Sequence, residues 1–430
     1  MTDEREIVLS ILMDIETNDT FSNIAIGNAL SKNQFIEKNE RAFITRLSEG
    51  VIETKIKLDY IINQFSKTKI NKCKPLIRCV LRMGLYQILY MNSVPASAAC
   101  NEAVKITKKH GFASLSGFVN GVLRNISRNI ETIKLPASAD KALYLSVNYS
   151  IPQWLVEKIM KDYPDNYESI IAGTFAERKT SIRVNTTKIS VNELAQKLKD
   201  AGVDVQQSEY SDKALLISEY DFIKKIPGYK QGFFTVQDES SICMIDEAGI
   251  KASDKIADFC AAPGGKTTAC LEYLNNTGSV LSMDISEDKL SLIEDNIERL
   301  GFTNAKVCCH DATKKLENNE QFDIVITDVP CSGLGIIGRK NDIKYRISPN
   351  QIEDLIALQK QIMSNASTYV KAGGTYIYST CTINPDENAS NVNAFLDSNP
   401  DFVLEKSRQF VPGVDSCDGF YYAIMKKKCD

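Results

Sequence analysis

The sequence predicts a multidomain chain in which an all-α bundle is followed by a small α+β subdomain and then by a doubly wound α/β domain. Three observations predict it. Apolar residues recur at three- and four-residue spacing through positions 1–130, short apolar strands alternate with amphipathic helices from Lys255 onward, and 430 residues exceed one ordinary core.

The bundle rests on EIVLSILMDI, FITRLSEGVIE, LDYIINQF and LIRCVLRMGLYQILYM, each of which lines one face of a helix with apolar side chains. Pro75 suits a first helical turn, Pro95 suits a break, and Ser93 or Ser97 can cap the helix that follows. Residues 131–150 lose the periodicity, contain Pro136, and are expected to be a linker. Across 151–240 the pattern is mixed, with a helix at WLVEKIMKDY, a strand at SIRVNTT, a helix from Ser190 to Ala201, and apolar runs ALLIS and GFFTVQ. Residues 241–430 carry the strands KIADFC, SVLSMD, AKVCCHD, FDIVITDVP, GTYIYST and FYYAIMKKK, with helices at Asp288–Leu300 and Ile352–Tyr369 among them. Such an order winds a largely parallel, Rossmann-type sheet, which binds ligands at the carboxyl ends of its strands.

Composition narrows the function. No run of about 18 apolar residues occurs, and the start MTDEREIVLS lacks the basic-then-apolar order of a secretion signal, so a cytoplasmic protein with no membrane partner is expected. Twelve scattered cysteines without a C-x-x-C pair point to reduced thiols, with no metal. With only His110 and His310, histidine triad chemistry lacks material, and the nucleophile is sought among Cys, Ser, Lys and Asp. The net charge of −4 is unlike that of a strongly basic nucleic-acid binder. The local clusters Lys67, Lys69, Lys72, Lys74, Arg78 and Arg82, and Lys105, Lys108 and Lys109, read as solvated helix faces.

Chemistry-bearing residues concentrate at the strand ends. The loop Cys260-Ala261-Ala262-Pro263-Gly264-Gly265-Lys266 follows the first strand of the α/β domain and opens a helix. Its two glycines allow a tight turn and close approach to a ligand. The G-x-x-x-x-G-K spacing of a phosphate loop is missing, which disfavours ATP. Asp284 ends the next strand, placed to accept from ribose hydroxyls, and Asp311 ends the third, placed to meet an adenine amino group. Together they outline a nucleoside-containing cofactor, either NAD or S-adenosyl-L-methionine.

The fourth strand ends Asp328-Val-Pro-Cys331 and the fifth ends Ser379-Thr-Cys381-Thr. Two thiols and a carboxylate are of no use to hydride transfer. They suit methylation of cytosine carbon 5, a poor nucleophile until a thiolate adds to carbon 6 and converts the ring to an enamine. Asp328 can share a proton with ring nitrogen 3, Lys266 can favour a thiolate, and the second sulfur can act as base or aid release. These residues alone do not say which cysteine attacks. Cys243, Cys270, Cys308 and Cys309 read as buried and inert.

The motifs Asp258 to Thr267, Asp328 to Ser332 and Thr380 to Asn388 resemble the signatures of the RNA cytosine-5 methyltransferase superfamily. Arg183-Val-Asn185, Gln237-Asp-Glu-Ser-Ser241 and Asp418-Gly-Phe420 resemble its flanking motifs. The resemblance implies a class I methyltransferase domain using S-adenosyl-L-methionine, with Cys381 as nucleophile and Cys331 assisting release. It further implies substrate contacts from Arg183, Asn185, Arg339 and Lys340. Where the superfamily often has paired arginines followed by proline, this chain has Gly338-Arg-Lys-Asn341.

The helical region is similar to the antitermination factor NusB through Leu81–Gln87, Asn101–Val104 and Phe118–Arg124. That domain order resembles the family of small-subunit ribosomal RNA methyltransferase B. It implies a monomer whose partner is 16S rRNA, and a target at carbon 5 of a cytosine, usually cytosine 967. The competing readings are a non-catalytic RNA-binding or antitermination protein, and a cytosine-5 methyltransferase acting on other RNA or on DNA.

Overall fold

The computed structural model describes residues 3–33, 35–176, 178–317 and 320–429. The chain forms two compact units, one of Met1–Tyr167 with Ile337–Arg346, the other of Glu168–Ile336 with Ile347–Asp430.

The first unit is helical. Its central helix, Pro75–Tyr90, begins with proline in its first turn and buries Leu81 and Leu85 completely. Glu4–Asn18, Lys38–Glu53, Ala96–Lys109 and Ser116–Arg128 pack around it. Neither serine near the break is used as a cap, since Pro95 itself precedes Ala96–Lys109 with no side-chain bond.

Arg78 and Arg82 depart from the expected solvated face. Arg82 is buried, bonds Asp59 at 2.7 and 2.8 Å, and meets Glu16 at 3.1 Å, while Arg78 meets Glu16 at 2.6 Å. Buried arginine persists because its fork of donors is matched by carboxylates.

The expected linker also differs, because it holds the helix Lys141–Asn148, capped by the Asp140 side chain and burying Leu145 and Val147. Its short length hid its periodicity behind Pro136.

Residues 337–346 add a second chain segment to this unit. Asp342 accepts from the Ser22 amide and hydroxyl at 2.9 Å, capping Ser22–Lys32. Lys344 Nζ donates to the Glu53 carbonyl at 2.9 Å, and Arg346 reaches the carbonyls of Asp19 and Thr20.

The second unit contains two sheets. The smaller consists of β1 (Thr180–Val184), β2 (Asp204–Gln207), β3 (Ala214–Ser218) and β4 (Phe234–Val236), in the antiparallel order β2-β3-β1-β4. The larger contains β5 (Lys255–Asp258), β6 (Ser279–Asp284), β7 (Ala305–Cys309), β8 (Phe322–Asp328), β9 (Val370–Thr380), β10 (Phe402–Phe410) and β11 (Phe420–Lys427). Their order is β10-β11-β9-β8-β5-β6-β7. Strands β5 to β9 pair in parallel, and β11 pairs antiparallel with both β9 and β10, giving a mixed sheet.

The direction of winding reverses between β5 and β8, so the loops leaving those two strands diverge and leave a crevice at their carboxyl ends. That crevice is where the Cys260–Lys266 loop and the Asp328 turn emerge.

Candidate active site

β5 ends at Asp258, and the loop after it turns through Gly264, whose φ of 95° lies in the left-handed region that favours glycine. A Cβ there would also meet Ile293 Cα at 3.2 Å. Gly265 has no such constraint, since a Cβ on it would meet only Gln237 at 3.6 Å. The helix Gly265–Leu274 follows, and Thr267 donates to Asp258 Oδ2 at 2.8 Å. Burial pushes the Asp258 carboxyl up to about 6, against the Thr267 hydrogen bond and the Lys266 charge that pull it down.

Arg183 and Asn185 correct the expectation of substrate contact. Both are buried. Arg183 pairs with Glu272 at 3.0 Å and donates to Gln237, to the Gly265 carbonyl at 2.8 Å and to Thr268 Oγ1 at 2.9 Å. Asn185 donates to the carbonyls of Gly232 and Leu300 at 3.1 Å. Their donors are spent inside the fold, where Arg183 braces the helix Gly265–Leu274. Arg339 and Lys340 are exposed.

Asp284, at the end of β6, accepts from the amides of Ala262 and Ser286, which aims it into the crevice. Asp311 accepts from the Thr313 hydroxyl at 2.7 Å and its amide at 2.9 Å through one oxygen, and those bonds hold its carboxyl below the ordinary range. Asp328 accepts from Lys266 Nζ at 2.5 Å and from Ser379 Oγ at 2.8 Å. Burial opposes the Lys266 charge, but Asp328 outweighs it and holds the ammonium above its ordinary range.

The sulfurs of Cys331 and Cys381 lie 3.2 Å apart. Both are free thiols, and two like charges at that distance resist forming together. The hydrogen bond to Cys381, burial, and the charges of Cys381 and Glu387 all push the Cys331 thiol up. Burial also keeps the Cys260 thiol well above its ordinary range. Of the four cysteines read as inert, Cys243 and Cys270 are buried, whereas Cys308 is half-buried and Cys309 exposed on edge strand β7.

Two cavities meet at this point. One, of about 320 Å³, is lined by Asp284, Asp311, Asp328, Cys331 and Cys381. The other, of about 230 Å³, is lined by Gln237, Asp238, Lys266, Asp418 and Phe420, and shares Cys260, Ala262, Asp328 and Cys381 with the first. The first fits S-adenosyl-L-methionine in its chemistry: carboxylates face a cationic ligand rich in hydroxyl and amino donors. Ile285, 68% exposed on the wall just past Asp284, offers an apolar surface to a flat ring.

Ile285 was missed in the sequence, although an apolar residue following a strand-terminal acid is a legible signal. The 237–241 and 418–420 motifs were legible as motifs without a role, and residues of both line the second cavity. Among the described residues no cluster of three or more His, Cys, Asp or Glu is arranged to hold a metal, and no helix is long and apolar enough to cross a membrane.

Comparison with known proteins agrees along the whole chain. The model of 16S rRNA methyltransferase RsmB/F matches residues 249–426, that of the NusB family 2–128, and that of the RsmF/B-like ferredoxin-like domain 151–221. A probable ribosomal RNA small subunit methyltransferase B of Bacillus subtilis is 35% identical, with 99% of both chains covered. The ribosomal RNA small subunit methyltransferase B of Citrobacter koseri is 32% identical over 92% of both. Among solved structures, that of PH0851 superposes with a TM-score of 0.84 at 24% identity over 99% of both chains. NSun6 from Pyrococcus horikoshii, solved with SFG, gives 0.60 at 22% identity over 65% of this chain and 99% of that one. These two likenesses speak to the fold. The strand-end loops, the paired thiols and the full-length relatives lead to one conclusion: the chain belongs to the ribosomal RNA small subunit methyltransferase B family, S-adenosyl-L-methionine-dependent rRNA methyltransferases.

Proposed function

We propose that the chain methylates carbon 5 of a cytosine in 16S rRNA, at the position equivalent to the family's usual cytosine 967, through a covalent bond between Cys381 and carbon 6. The observation that carries the reading is the 3.2 Å approach of two free sulfurs, of which that of Cys381 belongs to a residue lining both cavities. One cavity suits the methyl donor and the other a base taken out of its stack.

S-adenosyl-L-methionine, when bound, supplies an electrophilic methyl group. The protein's own residues do the rest. Lys266 and Cys381 line the same cavity, which places an ammonium among the groups around the attacking sulfur, while the hydrogen bond to Cys381 and burial push the Cys331 thiol up. Cys381 Sγ bonds to carbon 6, and the electrons of the 5,6 double bond become available at carbon 5. Asp328, held by Lys266 and Ser379, shares a proton with ring nitrogen 3, and that proton offsets the negative charge the addition places on the ring. After carbon 5 gains its methyl, its proton passes to solvent, and that C–H pair restores the double bond as the C6–S bond breaks. A hydrogen bond from Cys331 steadies the departing Cys381 thiolate. Exposed Arg339 and Lys340 offer charge to the RNA backbone.

Radiolabelled methyl transfer tests the assignment. Cys381→Ala is expected to abolish incorporation while S-adenosyl-L-methionine affinity by calorimetry stays within about two-fold, because that side chain makes a bond only to the base. Cys331→Ala is expected to accumulate enzyme–RNA adduct, seen as a shifted band on a denaturing gel; no band means Cys331 has no part in release. Bisulfite sequencing of rRNA from a deletion strain locates the nucleotide, and label in duplex DNA instead of rRNA would overturn the substrate.

A further inference from the structure

We propose that Glu387 is a positioning residue for this reaction, holding the turn that carries Cys331 against the turn that carries Cys381. The inference rests on the covalent reading above and assigns a role to a residue that touches neither substrate nor cofactor.

Glu387 is fully buried. Its Oε1 accepts from the Ser332 amide at 2.8 Å and from Gln359 Nε2 at 3.0 Å, and its Oε2 accepts from Ser332 Oγ at 2.5 Å and Asn384 Nδ2 at 2.9 Å. Four donors fill the capacity of one carboxylate. They come from both sides of the sulfur pair: Ser332 follows Cys331, and Asn384 lies in the turn after Cys381. Gln359 also donates to the Pro330 carbonyl at 2.9 Å, and Ser332 Oγ lies 2.7 Å from Thr382 Oγ1. The two sulfurs are thus each one residue removed from a buried junction centred on one carboxylate. A fully satisfied network of this kind in a low-dielectric interior is stiff, because breaking any one bond leaves an unpaired buried group. Its negative charge also acts on Cys331 in the sense that retains the thiol proton.

The arrangement can be broken without changing its size. Glu387→Gln places an amide NH2 where one oxygen stood, facing two donors instead of accepting from them. A displacement of about 1 Å at reacting groups costs on the order of 100-fold in rate. Expected for Glu387→Gln, therefore, is a kcat for rRNA methylation lowered by about 100-fold, with KM for rRNA and affinity for S-adenosyl-L-methionine within about two-fold. The same variant is expected to accumulate the shifted enzyme–RNA band, because Cys331 is no longer held beside the departing sulfur. Wild-type kcat in the folded variant overturns the proposal, and so does a loss of turnover without that band. Should Glu387→Gln not fold, Ser332→Ala removes only the Oγ bonds, and about a ten-fold loss of kcat at constant KM is expected, intermediate between intact and broken junctions; unchanged kcat overturns the proposal. The underlying reading is judged separately. Methyl transfer that persists in Cys381→Ala defeats the covalent mechanism, whereas Cys381-dependent transfer with a silent Glu387→Gln defeats only the junction.

Discussion

Arg183 shows how one residue can mislead in a sequence and be unambiguous in a fold. It sits in β1 between Ile182 and Val184, an alternation that in a half-buried strand turns the middle side chain to solvent. Here the outer face is covered by the helix Gly265–Leu274, so the guanidinium enters a closed site with Glu272, whose carboxyl burial pushes up despite the arginine beside it. Sequence patterning records the alternation and says nothing of the covering helix. By contrast Asp284, Asp328, Cys331 and Cys381 were legible because strand ends in a parallel sheet converge by topology, whatever packs behind them. Arg183→Ala leaves Glu272 buried and unpaired, and chemical denaturation is expected to show a loss of about 3–5 kcal/mol. An unchanged midpoint together with weakened RNA binding would restore the role in substrate contact.

At the scale of elements, the parallel strands were legible and several other elements were not. FDIVITD and GTYIYST are buried on both faces and stand out as apolar runs, whereas β2, DVQQ, and β10, FVLEKSRQF, lie at sheet edges with most side chains exposed. An edge strand gets its identity from its neighbour's hydrogen bonds, which no local pattern records. The helix Ala389–Ser398 was likewise missed, because its apolar face is limited to few residues.

Turns matter as much as strands here. Gly335 donates its amide to the Cys381 carbonyl at 3.1 Å and accepts from the Gly419 amide at 2.9 Å, joining the turn after Cys331 to both neighbouring motifs. A Cβ on Gly335 would sit 2.0 Å from the Gly419 carbonyl oxygen, backbone against backbone. Gly335→Ala is therefore expected to cost roughly 1–3 kcal/mol and to reduce kcat, because relief requires the turn to move away from Cys381. A thermal melt and initial-rate kinetics on one preparation check both effects, and a variant with normal stability and rate would show the approach to be slack.

At the scale of the whole molecule, two buried titratable groups give the two units opposite responses to pH. In the unit of Glu168–Ile336 and Ile347–Asp430, Asp258 is pushed up to about 6 from 3.8, and its Oδ1 lies buried with no hydrogen-bond partner among the described residues. The native state then holds a proton between those values that the unfolded chain has released, so this contribution to stability is greatest at low pH and falls as pH rises through 6. In the helical unit, burial pushes Lys344 down to about 7 from 10.5. There the unfolded chain binds the extra proton, so stability is lowest below 7 and climbs as pH rises toward 10.5. Each effect is on the order of a few kcal/mol, large against the total stability of a domain. Hydrogen exchange followed segment by segment separates the units in the intact chain. Between pH 5 and 7, opening free energies in β5 and the helix Gly265–Leu274 are expected to decrease, and Asp258→Asn is expected to flatten that slope. Between pH 7 and 9 those in Pro75–Tyr90 are expected to increase, and Lys344→Met is expected to remove the rise. A common slope in both units, or slopes untouched by the substitutions, would mean that neither buried charge governs the response and that other titratable groups, Glu49, Glu53, Lys55 and Lys57 among them, do.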